Sequence, residues 1–446
     1  MPSKHRDPDL LWLIEHNARE LDVACAAAAH LQRRGFTVRI VHMWQADLFH
    51  LSQRITPRLV ALPYAYGTRR GFMENYLPQW RTAAFVNLAW EQFYEKAYQP
   101  LKHPEDPFVR CHVIHHAWSP YFRDYLLAGG VPPENIFLNG HPALALYQPP
   151  YNRAFPDRAA LARQFHLDPA RRWVFFPETY SWAFRDPKWF DTQHEWGVSR
   201  ADIHASREFC AASLPIVLDW LRQLAQTAPV EIILRPRPTT SRADFQQLAG
   251  ELPPNVHFNK EHSIREWILA SDAVFSSHST SLIEAATAGK PATMALPLPL
   301  PEPMRADWMA RAPQVNTAPA FLAAALNEGS DPAGGTHPLA SWAQAELLGN
   351  GDPIRGLADF LASLLSGAPR PPAIPPADLE TLLPRGYAAR RAWQALPPAR
   401  RRYQQAWKAM ARARKRSRRL APEVAREDLP ARAAARRTAQ FRRLLG

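Results

Sequence analysis

Asp272-Ala-Val-Phe-Ser-Ser-His-Ser-Thr-Ser-Leu-Ile-Glu284-Ala-Ala-Thr-Ala-Gly289-Lys-Pro291 reads as a buried strand, a hydroxyl-rich turn and a small-residue helix in immediate succession. Ala273 to Phe275 are apolar, the next six residues are all Ser, His or Thr, and Leu282 to Ala288 predict a helix that Gly289 and Pro291 terminate. The opening turn of such a helix leaves backbone N–H groups unpaired and carries partial positive charge, so it suits an anion such as phosphate. The same residues admit a second reading: Ser281 and Glu284 have the spacing of a capping box, in which both side chains satisfy donors of their own helix.

A feature about forty residues upstream bears on that choice. Val230-Glu-Ile-Ile-Leu234 is a β-branched run that ends in Arg235-Pro-Arg237-Pro238, which delivers two guanidinium groups at the carboxyl end of a strand. Ligands of open parallel sheets collect outside that edge, and the planar donors of Arg match phosphate oxygens. Two Arg at a strand end also suit a solvated or carboxylate-paired position. Joined to the Ser-His-Thr turn of the same sheet, they point to an anionic ligand.

The rest of the 446-residue chain extends the strand–helix alternation in both directions. Strands are expected at Leu10 to Ile14, Thr37 to His42, Leu59 to Leu62, Ala83 to Leu88, Cys111 to His115 and Asn135 to Leu138, with helices from Arg19 to Arg34 and Pro120 to Leu127. After Pro149, Pro150 and Pro156 the pattern restarts. Strands follow at Trp173 to Phe176, Val230 to Leu234, Val256 to Phe258, Ala273 to Phe275 and Ala292 to Leu296, and helices from Ser206 to Thr227 and Ile264 to Ala270. The expectation is an α/β fold of two tandem Rossmann-like domains, residues 1–147 and 157–366, followed by a Pro-rich linker, 367–384, and a basic, partly helical tail, 385–446. No Gly-x-Gly-x-x-Gly or Walker A sequence is present, which disfavours dinucleotide oxidoreductases and P-loop NTPases.

Charge is distributed unevenly. The chain carries a formal +13, but residues 385–446 hold 19 Lys and Arg against only Glu423, Glu427 and Asp428, so everything before the tail is slightly acidic. With Trp393, Tyr403, Trp407 and Phe441, that tail suits an anionic membrane surface; a solvated arm and nonspecific nucleic-acid binding are the other readings. No apolar run approaches the roughly 20 residues that span a bilayer. Cys25, Cys111 and Cys210 are too few and scattered for a disulfide framework or a zinc site. A cytoplasmic protein, peripheral at the inner membrane, is expected.

The two-domain pattern with its ligand turn resembles the GT-B glycosyltransferases, and more closely bacterial surface carbohydrate biosynthesis proteins. The resemblance rests on Trp12-Leu-Ile-Glu-His-Asn-Ala-Arg19-Glu20-Leu-Asp22, Val86-Asn87-Leu-Ala-Trp90-Glu91-Gln92, His116-Ala-Trp118 and Gly140-His-Pro, and covers about residues 10–365. The second domain is distantly similar to capsule Kdo transferases and teichoic-acid glycerophosphotransferases, which usually have His-Pro where this chain has Arg237-Pro238. The resemblance implies a nucleotide-sugar donor, CMP-linked as a first guess, and a lipid-linked or oligosaccharide acceptor. It further implies Arg235 and Arg237 at the phosphates, His278, Ser279, Thr280 and Ser281 lining the anion turn, and Glu284 at the ribose.

The implied chemistry needs no metal or other cofactor, because positioned Arg and a helix amino terminus stabilise the departing phosphate. An inverting transfer requires a base from the opposite domain. Glu15, His16, Glu20 and Asp22 lie just past the first strand, and Glu20 is the candidate, with Glu91 next; both residue types also serve there as dipole or ion-pair partners. His115 and His116 read as a hydrogen-bonded core pair, with a catalytic or metal-ligating pair as the other reading. A CDP-polyol phosphotransferase and a noncatalytic scaffold of polysaccharide assembly or export are the alternative functions.

Overall fold

The computed structural model describes residues 7–43, 51, 54–67, 80–237, 240, 242–327, 338–349, 351–371 and 429–446. Most of the linker and the tail up to residue 428 therefore lie outside the described residues.

Twelve strands form two six-stranded sheets. The first contains β1 (Leu10–Ile14), β2 (Val38–His42), β3 (Leu59–Leu62), β4 (Ala84–Asn87), β5 (Val113–Ala117) and β6 (Ile136–Leu138) in the order β2-β1-β3-β4-β5-β6. The second contains β7 (Arg172–Pro177), β8 (Val230–Arg235), β9 (Val256–Phe258), β10 (Ala273–Ser276), β11 (Ala292–Ala295) and β12 (Gln314–Val315) in the order β12-β11-β10-β7-β8-β9. Every pairing is parallel. Parallel strands covered on both faces read as continuous apolar runs, and β1, with all five residues buried, is such a run. In the second sheet the strand order reverses between β7 and β10, which opens a crevice at their carboxyl ends.

Five helices matter below: α1 (Asn17–Arg33), α2 (Ile264–Ala270), α3 (Ser281–Thr287), α4 (Pro353–Leu365) and α5 (Ala431–Leu444). The expected strand at Cys111 to His115 begins two residues later, because Asp106 caps a short helix, Pro107–His112, by accepting from Val109 N. The helix expected from Ser206 begins at Arg200, where the Ser199 hydroxyl accepts from Asp202 N.

The two sheets are joined by specific contacts. Amphipathic α4 leaves the second domain and returns to α1, and Phe360 stacks on Phe137 with ring centroids 3.8 Å apart. Gly140-His141-Pro142, a turn of the first domain, docks on the second: His141 N donates to Leu347 O at 2.6 Å. Gly140 has φ +89°, and a Cβ there would stand 2.6 Å from the same carbonyl. Gly140→Ala should therefore cost on the order of 2 kcal/mol from backbone strain and the clash together, which thermal denaturation will read as a lower Tm.

Beyond the linker, α5 lies against α1, with Phe441 fully enclosed and Thr438 and Ala434 buried. The last turns of the basic tail are thus packed structure. Among the described residues no helix is long and apolar enough to cross a membrane.

Candidate functional site

The crevice of the second sheet is lined by the loops that follow β7, β8 and β10. Glu178 follows β7 and is buried; its carboxylate accepts from Arg237 N at 3.3 Å, and burial pushes it above the ordinary carboxylate range against the pull of Arg237. Arg237 follows β8, is exposed in the crevice, and reaches Ser181 Oγ at 3.4 Å. His278 follows β10. Its Nδ1 lies 2.9 Å from Ser277 Oγ, and burial beside Arg237 pushes the ring down to about 3, so it is neutral at physiological pH.

The first domain faces these groups with the loop after β4. That loop is built rigidly: Asn87 Oδ1 accepts from Ala89 N at 3.0 Å, and Ala89 takes φ +46°. Gln92 then bridges to β5, donating to His116 O at 2.9 Å and accepting from Trp118 N at 2.8 Å. Trp118 stacks on His141 with centroids 3.6 Å apart and packs against Phe93. Two residues after Phe93 stands Glu95, whose Oε1 is 3.8 Å from His278 Nε2 across the domain boundary. Main-chain bonds fix the approach, from Lys96 N to Arg305 O and from Ala97 N to Pro303 O, both 3.0 Å. Burial pushes the Glu95 carboxyl up to about 7; Arg237 pulls it down and Glu91 pushes it further up.

Glu91 has a different environment. Lys102 Nζ at 2.6 Å and Arg19 Nη1 at 3.2 Å hold it, and their charges overcome desolvation to keep its carboxyl down at about 2. Arg19 in turn reaches Glu20 at 2.8 Å and Glu15 at 3.2 Å. Glu20 itself is fully enclosed, accepting from Glu15 N at 2.8 Å and from Arg19. Its carboxylate organises the start of α1 and has no surface open to the cleft, so an acceptor hydroxyl cannot reach it.

Of the ligand candidates in the second domain, Arg237 and His278 converge. Arg235 diverges: it is 9% exposed and donates from Nη2 to His262 O at 2.8 Å, just ahead of α2. The capping box is not formed. Thr280 is the N-cap without a side-chain bond, Ser279 Oγ accepts from Ser281 N at 3.2 Å and from Ser281 Oγ at 2.8 Å, and Glu284 instead accepts from Tyr147 OH at 2.5 Å. Thr280 is exposed and Ser281 buried. Gly289 takes φ +72° past the end of α3. His115 is a core residue, its ring held by Asn87 at 3.1 Å and Val109 O at 2.8 Å, while His116 is buried against Phe137.

Asp22 joins three parts of the chain. Its two oxygens sit 2.6 Å from Arg265 Nη1 of α2 and 2.6 Å from Arg437 Nε of α5. Both guanidinium groups also face the Phe155 ring, at 5.2 and 4.9 Å.

No family model matches the chain, and no curated protein sequence matches it. Solved structures do. A protein assigned as a UDP-N-acetylglucosamine 2-epimerase in Listeria monocytogenes aligns with TM-score 0.51 at 12% identity, over 83% of this chain and 100% of that one. Another UDP-N-acetylglucosamine 2-epimerase gives 0.52 at 10%, over 83% and 100%. The wall teichoic acid polymerase TagF gives 0.52 at 10%, over 81% and 89%. At such identity the likeness shows the fold, and the architecture is GT-B: two Rossmann-like domains facing each other across a cleft.

Proposed function

We propose that the chain is a glycosyltransferase of bacterial surface polysaccharide assembly, moving a sugar from a nucleotide-activated donor to a lipid-linked or oligosaccharide acceptor. The observation that carries this reading is the convergence of Arg237 and His278 from the second domain with Glu95 from the first. Arg237, exposed at a strand end, takes the donor phosphates; neutral His278 and the Ser279–Ser281 turn offer further donors. Glu284, held by Tyr147, takes the ribose. The acceptor oxygen attacks the anomeric carbon, its proton passes to Glu95, and the bond from that carbon to the phosphate oxygen breaks with its electron pair on the phosphate. A carboxyl near pH 7 is well matched to that proton transfer, and Arg237 stabilises the leaving charge.

Thermal-shift titration with CMP, CDP, UDP, UMP and GDP tests the reading. One nucleotide should stabilise the protein selectively, and Arg237→Ala should weaken its affinity about tenfold or more through loss of a charge-assisted hydrogen bond. Unchanged affinity in that variant would remove Arg237 from the phosphates, and no stabilisation by any nucleotide would favour a noncatalytic scaffold. The likeness to a teichoic acid polymerase favours a second reading, transfer of a polyol phosphate from a CDP-linked donor. Product analysis separates the two, because only the second forms a new phosphodiester.

A further inference from the structure

We propose that α5 is a membrane-facing element whose outward arginine stripe binds the phosphates of an anionic lipid surface. The inference stands apart from the nucleotide reading, since it concerns a different face of the molecule.

Residues 429–446 contain five Arg and no Asp or Glu. At 3.6 residues per turn, Ala434, Thr438 and Phe441 fall on one side of α5, and Arg432, Arg436 and Arg443 fall within about 40° of one another on the opposite side. The first three are buried against the first domain and the second three are exposed. The docking fixes the direction of the stripe. Cys25 Sγ lies 3.6 Å from Ala434 O, Arg437 is held by Asp22, and Arg33 Nη1 donates to Leu445 O at 2.8 Å. None of Arg432, Arg436 and Arg443 forms an ion pair among the described residues.

Like charges at i and i+4 on a helix repel, and within the described structure nothing offsets that repulsion for Arg432 and Arg436. An external anion does. Between Arg436, Arg437, Gln440 and Arg443 the surface forms a depression of about 450 Å³, lined also by Ala433 and Ala439, with room for a phosphate headgroup. Arg153, on the short helix Tyr151–Ala154 that packs against α5, is also exposed and adds charge of the same sign. A bilayer is favoured over a nucleic acid by the aromatic residues of the neighbouring basic sequence. The basic segment that precedes α5 carries Trp393, Tyr403 and Trp407, residue types that favour the membrane interface.

The test is sedimentation of the full chain with phosphatidylcholine vesicles that contain or lack phosphatidylglycerol. The wild type should bind only the anionic vesicles. The triple variant R432Q/R436Q/R443Q should lose about fivefold in affinity per arginine, on the order of a hundredfold together, with unchanged Tm. R432K/R436K/R443K should retain binding, because a surface of diffuse phosphates reads charge. Undiminished binding by the glutamine variant would overturn the proposal. So would equal binding to neutral vesicles, displacement from vesicles by inorganic phosphate but not by sodium chloride of the same ionic strength, or binding to single-stranded RNA in place of vesicles.

Discussion

Asp22→Ala should destabilise the folded chain by about 3 kcal/mol, because it strips a buried guanidinium of its carboxylate. The Arg265 side chain is 2% exposed and Asp22 is the carboxylate it touches, at 2.6 Å. Removing one member of a buried ion pair leaves an uncompensated charge, at a cost of about 3–5 kcal/mol. Glu284 and Glu266 also act on Arg265, which places the expectation at the lower end of that range. The loss also frees Arg437, so α5 should loosen in the same variant. Chemical denaturation reads the first effect, and protease sensitivity at the carboxyl terminus reads the second. Because Arg437→Ala removes a partner of the same carboxylate, the double variant should be less damaged than the sum of the two single variants. Additive losses would mean that Asp22 does not couple the second domain to the carboxyl-terminal helix.

Apolar continuity made most of the architecture readable from sequence. Leu10 to Ile14 and Ala273 to Phe275 are short apolar runs bounded by polar residues, Val230 to Leu234 is one interrupted by Glu231, and each is a buried parallel strand. β12, only two residues long, has no such run to betray it. The site was legible in part. The residues after β10 stand at the reversal of strand order beside β7, those after β8 one strand further on, and Arg237 and His278 meet at that edge. Arg235, the last residue of β8, is instead consumed by the His262 carbonyl, a partner that only the fold brings to it.

Glu20 and Glu95 show why the rest was hidden. Both are carboxylates of the first domain, and Glu20 carries the stronger sequence signal, just after a strand and early in a helix. Its partner Arg19 is adjacent in sequence, yet the enclosure that closes it off is built by the fold. Glu95 lies in an irregular loop without periodicity, and its environment is assembled by His278 and Arg237, some 140 or more residues away. The Trp90-Glu91-Gln92 stretch was the available signal. Gln92 and Trp118 hold the loop in place, and the residue that loop presents lies three positions beyond Gln92. The docking of α5 was equally hidden, since its buried face consists of Ala434, Thr438 and Phe441 amid arginines and reads as a charged helix.

Glu95→Gln should have opposite effects on turnover and on stability. Loss of a positioned base should lower the transfer rate by about 10² to 10⁴, while nucleotide affinity, which rests on the second domain, stays within a few fold. The wild-type rate should rise with pH through about 7, as the Glu95 carboxyl loses its proton, and the variant should lack that rise. Stability should change in the other direction. A carboxyl whose folded value stands above its unfolded value holds its proton more tightly when folded, so ionisation works against folding. That penalty is absent below the unfolded value, grows as pH rises, and is complete above about 7. Glutamine removes it, so the variant should gain up to about 3 kcal/mol above pH 7, less whatever the solvent of the open cleft already relieves, and nothing near pH 4. A purely structural glutamate predicts the reverse, a loss of stability on substitution. A variant that is less active yet more stable at pH 8, and no more stable at pH 4, would mark Glu95 as a group held at a cost to the fold for the sake of the reaction. A variant with unaltered turnover would move the base elsewhere in the cleft, and Glu91, held ionised by Lys102 and Arg19, is then the next carboxylate to replace.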